Sequence, residues 1–193
     1  MAWDTERTKS LLLAAAVSEF SAHGPAGARV DRIAATAGIN KERTYQYFGN
    51  KTALFDAVLL EAVRRAIDTT PIQGTGPKAV ADYAGRLYDH HQRDNTLSRL
   101  SFWEGLERGS DLVGFPQRAV HFSEKIDIIV EALPNITREN AIDLLITIIT
   151  LCRTATVLPG LQALTTESNP ARPSNRRAAV VKTAELLASA MTS

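Results

Sequence analysis

The sequence feature that most constrains the fold is the stretch Arg29–Lys51, which reads RVDRIAATAGINKERTYQYFGNK. Ile33 and Ala37 recur at helical spacing, and Gly38 follows them, a residue that ends a helix in the left-handed conformation at little cost. Asn40 has a side chain that caps the start of a helix well. We therefore predict two short helices joined by a tight turn over this stretch.

Two short helices that meet at a tight turn are typical of the helix-turn-helix, whose second helix enters the major groove of DNA. The second helix is predicted over about residues 41–48, with Glu42 in its first turn, where the helix dipole favours an anion. Ala34 is small where the two helices would cross, and Ile39 can fill the corner between them. The pattern predicts a DNA-binding motif near the N-terminus.

The segment IAATAGINKERTYQYFGNKTAL resembles the signature of the tetracycline-repressor (TetR) family. That signature has the form I-A-x-x-A-G-V, then a Tyr midway along the recognition helix, then F-x-x-K-x-x-L. The residues that match it are Ile33, Ala34, Ala37, Gly38, Ile39, Tyr45, Phe48, Lys51 and Leu54. The match continues upstream through Phe20 and Gly24, so it covers roughly a third of the chain.

Three positions depart from the signature of the family. Thr44 stands where Leu or Ile is usual, and Arg43 stands in place of a small residue. Arg29 replaces the Thr that usually caps the helix before the turn. The two arginines suggest a particular set of DNA contacts.

The side chains expected to contact DNA lie on the exposed face of the recognition helix and beside it. Arg43 can make a bidentate contact with guanine, and Gln46 can make one with adenine. The resemblance implies that Tyr45, Tyr47 and Lys51 contact phosphates, although inward packing of Tyr45 is an open alternative. The full predicted set is Arg29, Lys41, Arg43, Thr44, Tyr45, Gln46, Tyr47 and Lys51.

The remainder of the chain predicts an all-α protein. Hydrophobic residues make up 45% of the 193 residues, and there is neither a sustained strand-like alternation nor an internal repeat. We expect about nine helices, with an N-terminal three-helix helix-turn-helix domain over residues 1–50. A connecting helix over 51–68 then leads to a larger helical ligand-binding and dimerisation domain over 69–193. A long loop is expected over 158–173, directly before the last helix.

Charge, cysteine content and hydropathy limit the other possibilities. The formal net charge of +1 gives no independent sign of nucleic-acid binding. The single Cys152 excludes an internal disulfide, and its apolar surroundings predict an inert core thiol in a reducing compartment. Residues 141–158 are long and apolar enough to cross a membrane, but Asp143 and Arg153 would be costly there. With a polar N-terminus unlike a signal peptide, the chain is expected to be cytoplasmic.

The helices expected in the larger domain carry aromatic and polar-tipped side chains suited to a small-molecule site. The resemblance implies a pocket among them, and an apolar cleft with a few polar groups would suit a small, largely apolar effector. The candidate ligand-binding residues are Tyr83, Arg86, His90, Phe102, Trp103, His121, Phe122, Thr147, Thr150 and Arg153. A polar stripe that either faces water or lines a cavity is formed by Asp143, Thr147, Thr150 and Thr154. For each residue, the alternative is an ordinary place in the core or on the surface.

The last two helices, expected over about 137–157 and 174–191, offer more apolar surface than a monomer of this size needs. Members of the family dimerise through such a pair, and a two-fold dimer matches a palindromic operator. The alternative is that both helices fill the core of one chain. We therefore expect a homodimer held together by the last two helices.

The predicted function is a ligand-responsive transcriptional regulator, a repressor that binds double-stranded operator DNA and is released by its effector. An effector-independent regulator or an activator is an alternative, and a helical-bundle enzyme is another. The sequence has neither a His, Cys and carboxylate cluster at metal spacing nor a Gly-rich phosphate loop, and no base is evident near Cys152. We therefore predict no catalytic residue, no metal site and no cofactor.

Overall fold

The computed structural model describes residues 2–67, 70–165 and 172–192. All regular elements in these ranges are helices, which confirms the all-α prediction. Their bounds are α1 Ala2–Gly27, α2 Val30–Ala37, α3 Lys41–Phe48, α4 Lys51–Ile67, α5 Pro77–Arg93, α6 Thr96–Arg108, α7 Phe115–Ala132, α8 Arg138–Val157, α9 Pro159–Thr165 and α10 Arg172–Ala190.

One helix more than expected is present in the described part of the chain. The predicted loop over 158–173 contains α9, whereas residues 166–171 lie outside the described ranges. Pro159 occupies the first position of α9. Proline is compatible with that position because the first amide of a helix has no intrahelical partner. The last helix, α10, begins slightly earlier than predicted.

The first helix changes direction at Gly24. Gly24 has a φ of 67° and a ψ of 173°, and one further helical turn follows it up to Gly27. A Cβ atom built at Gly24 would lie 2.7 Å from the ring of Trp103. Glycine is therefore required at this position for two reasons, the positive φ and the close approach of the indole.

The chain forms two compact units that do not follow the order of the sequence. The bounds of the first unit are Met1–Arg65 and Arg99–Phe115, and those of the second unit are Ala66–Ser98 and Pro116–Ser193. Most of α6 thus belongs with the N-terminal helices, which differs from the expected division of the chain. Long-range hydrogen bonds explain this: Arg99 Nε donates to Ser21 O over 2.7 Å, and Arg108 Nη2 donates to Asp56 Oδ1 over 2.5 Å.

The core of the first unit is built around Phe20 and Phe55. Their ring centres are 5.2 Å apart in an edge-to-face arrangement, and both side chains are fully buried. The guanidinium of Arg108 lies 5.5 Å from the centre of the Phe55 ring, within the range of a cation–π contact. Ile33 on α2 is also fully buried. The short helices of the motif therefore rest on a continuous apolar core.

The core of the second unit lies mainly between α5, α8 and α10. Its buried side chains include Tyr83, Leu87, Ile129, Leu144, Leu145, Ile148, Val180 and Ala184. The α5 and α10 backbones approach closely at Gly85, where a Cβ atom would lie 3.0 Å from Cγ2 of Val181. A small residue at this position allows the two helices to pack tightly.

Within one chain, α8 is buried on one side only. Its buried residues are Ala141, Leu144, Leu145, Ile148 and Cys152. Ile146 is 57% exposed, and Asp143 and Thr150 are exposed as well. In the described ranges α8 is the one helix that meets the length and hydropathy criteria for a membrane span, and such helices also occur in soluble proteins. The outer face of α8 is therefore open in a single chain.

Candidate DNA-binding surface and effector site

The turn between α2 and α3 has the geometry that its sequence predicts. Gly38 adopts the left-handed conformation, with a φ of 69°, and its N–H donates to Ala35 O over 3.1 Å. Asn40 caps α3 by accepting a hydrogen bond from the Arg43 amide over 2.8 Å. These local interactions present α3 as a short, well-capped helix at the surface of the first unit.

The outer face of α3 carries most of the predicted DNA contacts. Lys41, Arg43, Tyr45 and Gln46 are exposed, and Tyr47 is half-buried. The side chains of Arg43 and Gln46 have no hydrogen-bond partner within the described residues. Lys41 Nζ lies 5.9 Å from the centre of the Tyr45 ring, so the alternative of inward packing for Tyr45 is wrong. The face therefore combines two free cationic groups with amide and phenol groups.

Thr44 is a correction to the predicted contact set. Its side chain is only 1% exposed, and its hydroxyl donates to Asn40 O over 3.3 Å, one turn earlier in the helix. The residue occupies the position where the TetR signature has Leu or Ile, a position that faces the core of the motif. Thr44 therefore packs inward and cannot reach a base from this arrangement.

Arg29 forms the N-cap of α2 but does not cap it with its side chain. Its guanidinium is exposed and forms an ion pair with Asp31, with Nη2 and Oδ2 2.6 Å apart. The hydrogen bonds that Arg29 donates to Asp31 lower the pKa of Asp31 and raise the pKa of Arg29. A phosphate at Arg29 would therefore compete with Asp31.

Lys51 has an internal role that the sequence did not predict. Its Nζ donates to the carbonyl oxygens of Ala26 and Ala28, at 3.2 and 3.3 Å. An ammonium group has three donors, so one donor stays available for a phosphate. Lys51 thus links the start of α4 to the segment that joins α1 and α2.

Sequence reasoning missed the Glu19–Arg32 pair that supports the motif. Arg32 Nη2 lies 2.5 Å from Glu19 Oε1, and the same oxygen accepts from the Arg29 amide over 2.8 Å. Although burial raises the pKa of Glu19, the hydrogen bonds from Arg32 and Arg29 bring it below its usual value. The two residues are 13 positions apart on different helices, so no local periodicity indicates the contact.

In the second unit, the most deeply buried candidate is Tyr83 on α5, which is 1% exposed. Nζ of Lys125 on α7 lies 5.2 Å from the centre of its ring. Burial raises the pKa of the Tyr83 phenol and lowers the pKa of Lys125. Neither polar group has a hydrogen bond or ion pair with another described residue. Lys125 was not predicted, because nothing in its spacing marks it.

His91, next to the candidate His90, connects α5 to α6 and α8. The imidazole is 2% exposed, with Nδ1 3.1 Å from Ser98 Oγ and Nε2 3.5 Å from Arg153 Nε. A guanidinium can only donate, so Nε2 is the acceptor and Nδ1 carries the hydrogen. Burial and, to a lesser degree, the charge of Arg153 lower the pKa of His91 to about 3. The ring is therefore neutral at physiological pH.

Arg153, a predicted ligand residue, carries a partly buried guanidinium with no carboxylate partner among the described residues. Burial lowers the pKa of its guanidinium, and the Tyr83 phenol opposes this by raising the pKa to a lesser degree. Apart from the contact between Nε and His91, it has no hydrogen-bond acceptor within the described ranges. Next to it, burial raises the pKa of the Cys152 thiol to about 12. Cys152 is fully buried, which confirms the prediction of a core thiol.

Several other candidates make contacts with neighbouring residues. Arg86 Nη2 donates to Pro71 O over 2.9 Å, and the His90 ring meets the His91 ring edge-on. His121 Nδ1 lies 4.0 Å from Glu124 Oε2. Because of these contacts, the three side chains are less available to a ligand than the guanidinium of Arg153 is.

Three more candidates lie on outward-facing helix positions of the second unit. Phe122 is exposed, Thr147 is half-buried, and Thr150 Oγ1 donates to Ile146 O over 2.9 Å. The polar stripe of α8 that includes Thr150 therefore faces outward in a single chain. Its position favours contact with water or with a second chain.

Phe102 and Trp103 belong to the first unit, unlike the other eight candidates. Phe102 is exposed, whereas Trp103 packs against Gly24 on α1. This placement follows from the packing of α6 onto α1, which helical periodicity alone does not indicate. Trp103 thus has a structural role within the first unit. No group of three or more His, Cys, Asp or Glu side chains in the described ranges could hold a metal ion.

Two family models match the chain, one for each part of the expected arrangement. Residues 12–58 match the model for bacterial regulatory proteins of the tetR family. Residues 79–185 match the model for the tetracyclin repressor-like C-terminal domain. These matches agree with the resemblance that the motif residues carry.

Individual relatives extend the similarity over nearly the whole chain. The HTH-type transcriptional repressor SCO4008 of Streptomyces coelicolor is 34% identical over 191 residues, which covers 94% of this chain and 95% of that protein. The HTH-type transcriptional repressor NicS of Pseudomonas putida is 41% identical over 58 residues, 30% of this chain and 27% of that one. The second match is therefore confined to a short segment.

Among solved structures, SCO4942 from Streptomyces coelicolor superimposes with a TM-score of 0.75 at 32% identity, covering 93% of this chain and 97% of that one. The fatty acid degradation regulator FadR from Bacillus halodurans has a TM-score of 0.65 at 16% identity, covering 93% and 96%, and shares the fold. Both family models match, and the aligned repressor spans almost the full chain. The chain therefore belongs to the TetR family of transcriptional regulators.

Proposed function

We propose that this TetR-family regulator is a repressor that binds a palindromic operator as a homodimer and is released by a small-molecule effector. The observation that carries the proposal is the exposed face of α3, where Arg43 and Gln46 are free to contact bases. The repressor names of its relatives support repression over activation. The same relatives are regulators, and we assign no catalytic residue. We also propose a cytoplasmic location, where operator DNA is accessible.

In the proposed complex, α3 lies in the major groove. Arg43 donates two hydrogen bonds to guanine, and Gln46 reads adenine. Lys41, Tyr45 and Tyr47 contact the phosphates on either side, and the free donor of Lys51 contacts another. Arg29 joins them if a phosphate displaces Asp31. Thr44 is omitted from the interface because it is buried in the motif.

We assign dimerisation to α8 and α10, whose outer faces are open in a single chain. On α8, Ile146 is 57% exposed, and on α10, Leu186 is 56% exposed. Several exposed residues near Leu186 are small, namely Ala179, Thr183 and Ala190, although Lys182 is exposed one turn before it. Small residues around a large apolar one allow helices from two chains to approach closely and bury the large side chain. A four-helix bundle formed by these two pairs would bury both faces.

Control of the repressor requires two dimer arrangements that differ in the spacing of the recognition helices. Operator binding selects the arrangement in which they are about one duplex turn, ~34–36 Å, apart. We propose that an effector in the second unit binds the other arrangement more tightly, because only differential affinity shifts such an equilibrium. Operator DNA must then weaken effector binding by the same factor by which the effector weakens DNA binding.

The test is a fluorescence-anisotropy titration of the purified chain with DNA from upstream of its own gene and with random DNA of equal length. The proposal requires binding to the upstream DNA that is at least tenfold tighter, by analogy with the specificity of other DNA-binding proteins. Each compound that stabilises the chain in a thermal-shift screen is then added to the operator complex. A chain that binds compounds stoichiometrically but keeps its operator affinity would support the effector-independent alternative instead.

A further inference from the structure

Several cationic side chains of the second unit have no carboxylate partner in the described part of the chain. Among them, Lys125 and Arg153 are half-buried, whereas Lys78 and Arg93 are exposed. Lys125 contacts the ring of Tyr83, and Arg153 contacts the neutral ring of His91. Three other cations of this unit are paired with carboxylates, in Arg138–Asp127, Arg177–Asp89 and Lys182–Glu185. Lys125 and Arg153 thus differ from the surface ion pairs because they combine partial burial with the lack of a carboxylate partner.

Both cations are partly withdrawn from water. Burial lowers the pKa of Lys125 and the pKa of Arg153. A positive charge that loses hydration without gaining a counter-charge is unfavourable, and proteins usually pair such groups. An anion arriving from solution would supply the missing counter-charge at both side chains.

The contacts of His91 prepare Arg153 for such an anion. His91 accepts from Nε of Arg153, so the opposite ring nitrogen carries the hydrogen and donates to Ser98 Oγ. The terminal amino groups of Arg153 therefore stay available, and they form the planar fork that binds carboxylate or phosphate oxygens. The contact with His91 also limits the rotation of the guanidinium, so less conformational entropy is lost on binding.

The acidic residues near the C-terminal end of α5 do not act as the counter-charge of Arg153. Asp89 accepts from Arg177 Nε at 2.8 and 3.0 Å. Asp94 accepts from the Thr96 amide over 2.9 Å. Their charges are thus engaged elsewhere, and an internal carboxylate does not compete with an external anion at Arg153.

Tyr83 links the two cations. Its ring contacts the ammonium of Lys125. Ala84, the residue after Tyr83, accepts from Sγ of Cys152, the residue before Arg153, over 3.5 Å. The phenol has no hydrogen-bond partner among the described residues, so it can donate to a bound oxygen. The tyrosine ring also provides an apolar wall beside the charged groups.

From this arrangement we infer that the effector of the second unit is an organic anion, whose carboxylate or phosphate oxygens are held by Arg153, Lys125 and the Tyr83 phenol. The inference rests on the proposed effector function of this unit. It replaces the largely apolar effector expected from the sequence by an amphipathic one, with an anionic head and an apolar body.

The experiment measures binding of matched acids and neutral analogues to the full-length chain by isothermal titration calorimetry. The probes are benzoate and octanoate, their amides benzamide and octanamide, and the phosphates phenyl phosphate and octyl phosphate. At least one acid should bind about tenfold tighter than its amide, since charge-assisted hydrogen bonds exceed neutral ones in strength. A preference between the carboxylates and the phosphates identifies the head group.

The variants Arg153→Gln and Lys125→Gln should each weaken the preferred anion about tenfold and leave the neutral analogue nearly unchanged. Arg153→Lys, which keeps the charge but loses the fork, should fall between Arg153→Gln and the wild type. The matched controls Arg93→Gln and Lys78→Gln remove one exposed positive charge from the same unit and should retain wild-type binding. Circular dichroism melts verify that each variant is folded.

Equal binding of every acid and its amide, or no binding of any acid, in a chain that still binds its operator would overturn the inference. So would equal loss of affinity in the Gln variants and their controls. An anion that binds through Arg153 and Lys125 but leaves operator affinity unchanged would confirm the anion site and contradict the proposed control of DNA binding. The two proposals therefore fail in distinguishable ways.

Discussion

Arg43 and Thr44 are neighbours in the sequence that point in different directions. Successive residues of an α-helix are rotated by about 100°, so one of the two faces outward when the other packs inward. Arg43 is exposed, whereas Thr44 is buried and bonded to Asn40 O. This division allows one short helix to present the proposed DNA contacts and remain attached to the core of its unit.

Replacing Arg43 by Ala should relax the sequence preference at one base position. The loss of a bidentate contact to guanine costs about 1–3 kcal/mol on the preferred operator, with a much smaller loss on random DNA. Competition titrations against operator variants at fixed salt measure both effects. An equal loss on specific and random DNA would show that Arg43 contacts the backbone instead.

Lys51 and Lys41 form a matched pair that separates DNA binding from stability. Lys51→Met removes two hydrogen bonds to carbonyl groups and should destabilise the first unit by about 1–3 kcal/mol. Lys41→Met removes an exposed charge and should leave stability unchanged. Each variant should lower the slope of log affinity against log salt by about one unit, on specific and random DNA alike.

Urea unfolding and salt-dependent DNA titrations measure the two properties of these lysine variants. Equal stability of the two variants would contradict the internal role of Lys51. An unchanged salt slope in Lys51→Met would remove it from the phosphate contacts.

His91 should make the stability of the second unit depend on pH. Its pKa falls from 6.5 to about 3 on folding, so between these values the unfolded chain binds a proton that the folded chain does not. The stabilising effect is complete above pH 6.5 and declines as the pH falls toward about 3. At pH 5 the loss is about 2 kcal/mol relative to pH 7.

The variant His91→Gln isolates this contribution, because an amide can accept from Arg153 and donate to Ser98 without titrating. Urea midpoints measured at pH 7 and pH 5 should differ by less in the variant than in the wild type. The same difference in both proteins would mean that carboxylates, and not His91, account for the pH dependence.

At the scale of elements, two glycines end or bend helices of the first unit in different surroundings. Gly24 and Gly38 both have positive φ, but only Gly24 lies against another side chain, that of Trp103. A Cβ atom at Gly38 would meet nothing within 4 Å. The first position therefore depends on backbone conformation and packing, and the second on conformation alone.

Gly38→Ala should cost about 1–2 kcal/mol of stability, the penalty of the left-handed conformation for an L-residue. Gly24→Ala should cost a further 1–3 kcal/mol or so, because the new methyl group would overlap the indole. The measurement is the free energy of unfolding of each variant in urea. The variant Trp103→Leu combined with Gly24→Ala should recover part of the loss, and failure to recover any would contradict the steric explanation.

At the scale of the whole molecule, the open faces of α8 and α10 predict a dimer of twice the 21.0 kDa chain mass. Leu186→Glu should shift it toward the monomer, since burying such a side chain contributes about 1.5–3 kcal/mol and each dimer contains two copies. Operator affinity should fall in parallel. Sedimentation velocity at micromolar concentration provides the mass.

The control for this dimer variant is Leu106→Glu, which replaces an exposed leucine of α6 in the first unit. This control should remain a dimer. A wild-type chain that sediments as a monomer at micromolar concentration would contradict the proposed assembly, as would a dimer unaffected by Leu186→Glu.

The sequence by itself determined the helix-turn-helix and the family, because the signals that define them are local. Gly38 ends one helix through its own backbone freedom, and Asn40 caps the next through a hydrogen bond to a residue three positions later. Neither effect depends on distant parts of the chain. The same holds for most helix boundaries, whereas α9 escaped prediction because proline is compatible with a helix start as well as with a loop.

Only the tertiary structure decided which residues meet across long separations. Ser21 and Arg99 are 78 positions apart and attach α6 to the first unit, which separates Phe102 and Trp103 from the other eight ligand candidates. His91 and Arg153 are 62 positions apart and together leave a guanidinium fork without a counter-charge. Such contacts arise from the packing of whole helices, so periodicity indicates which face of a helix is apolar but not which helix covers it.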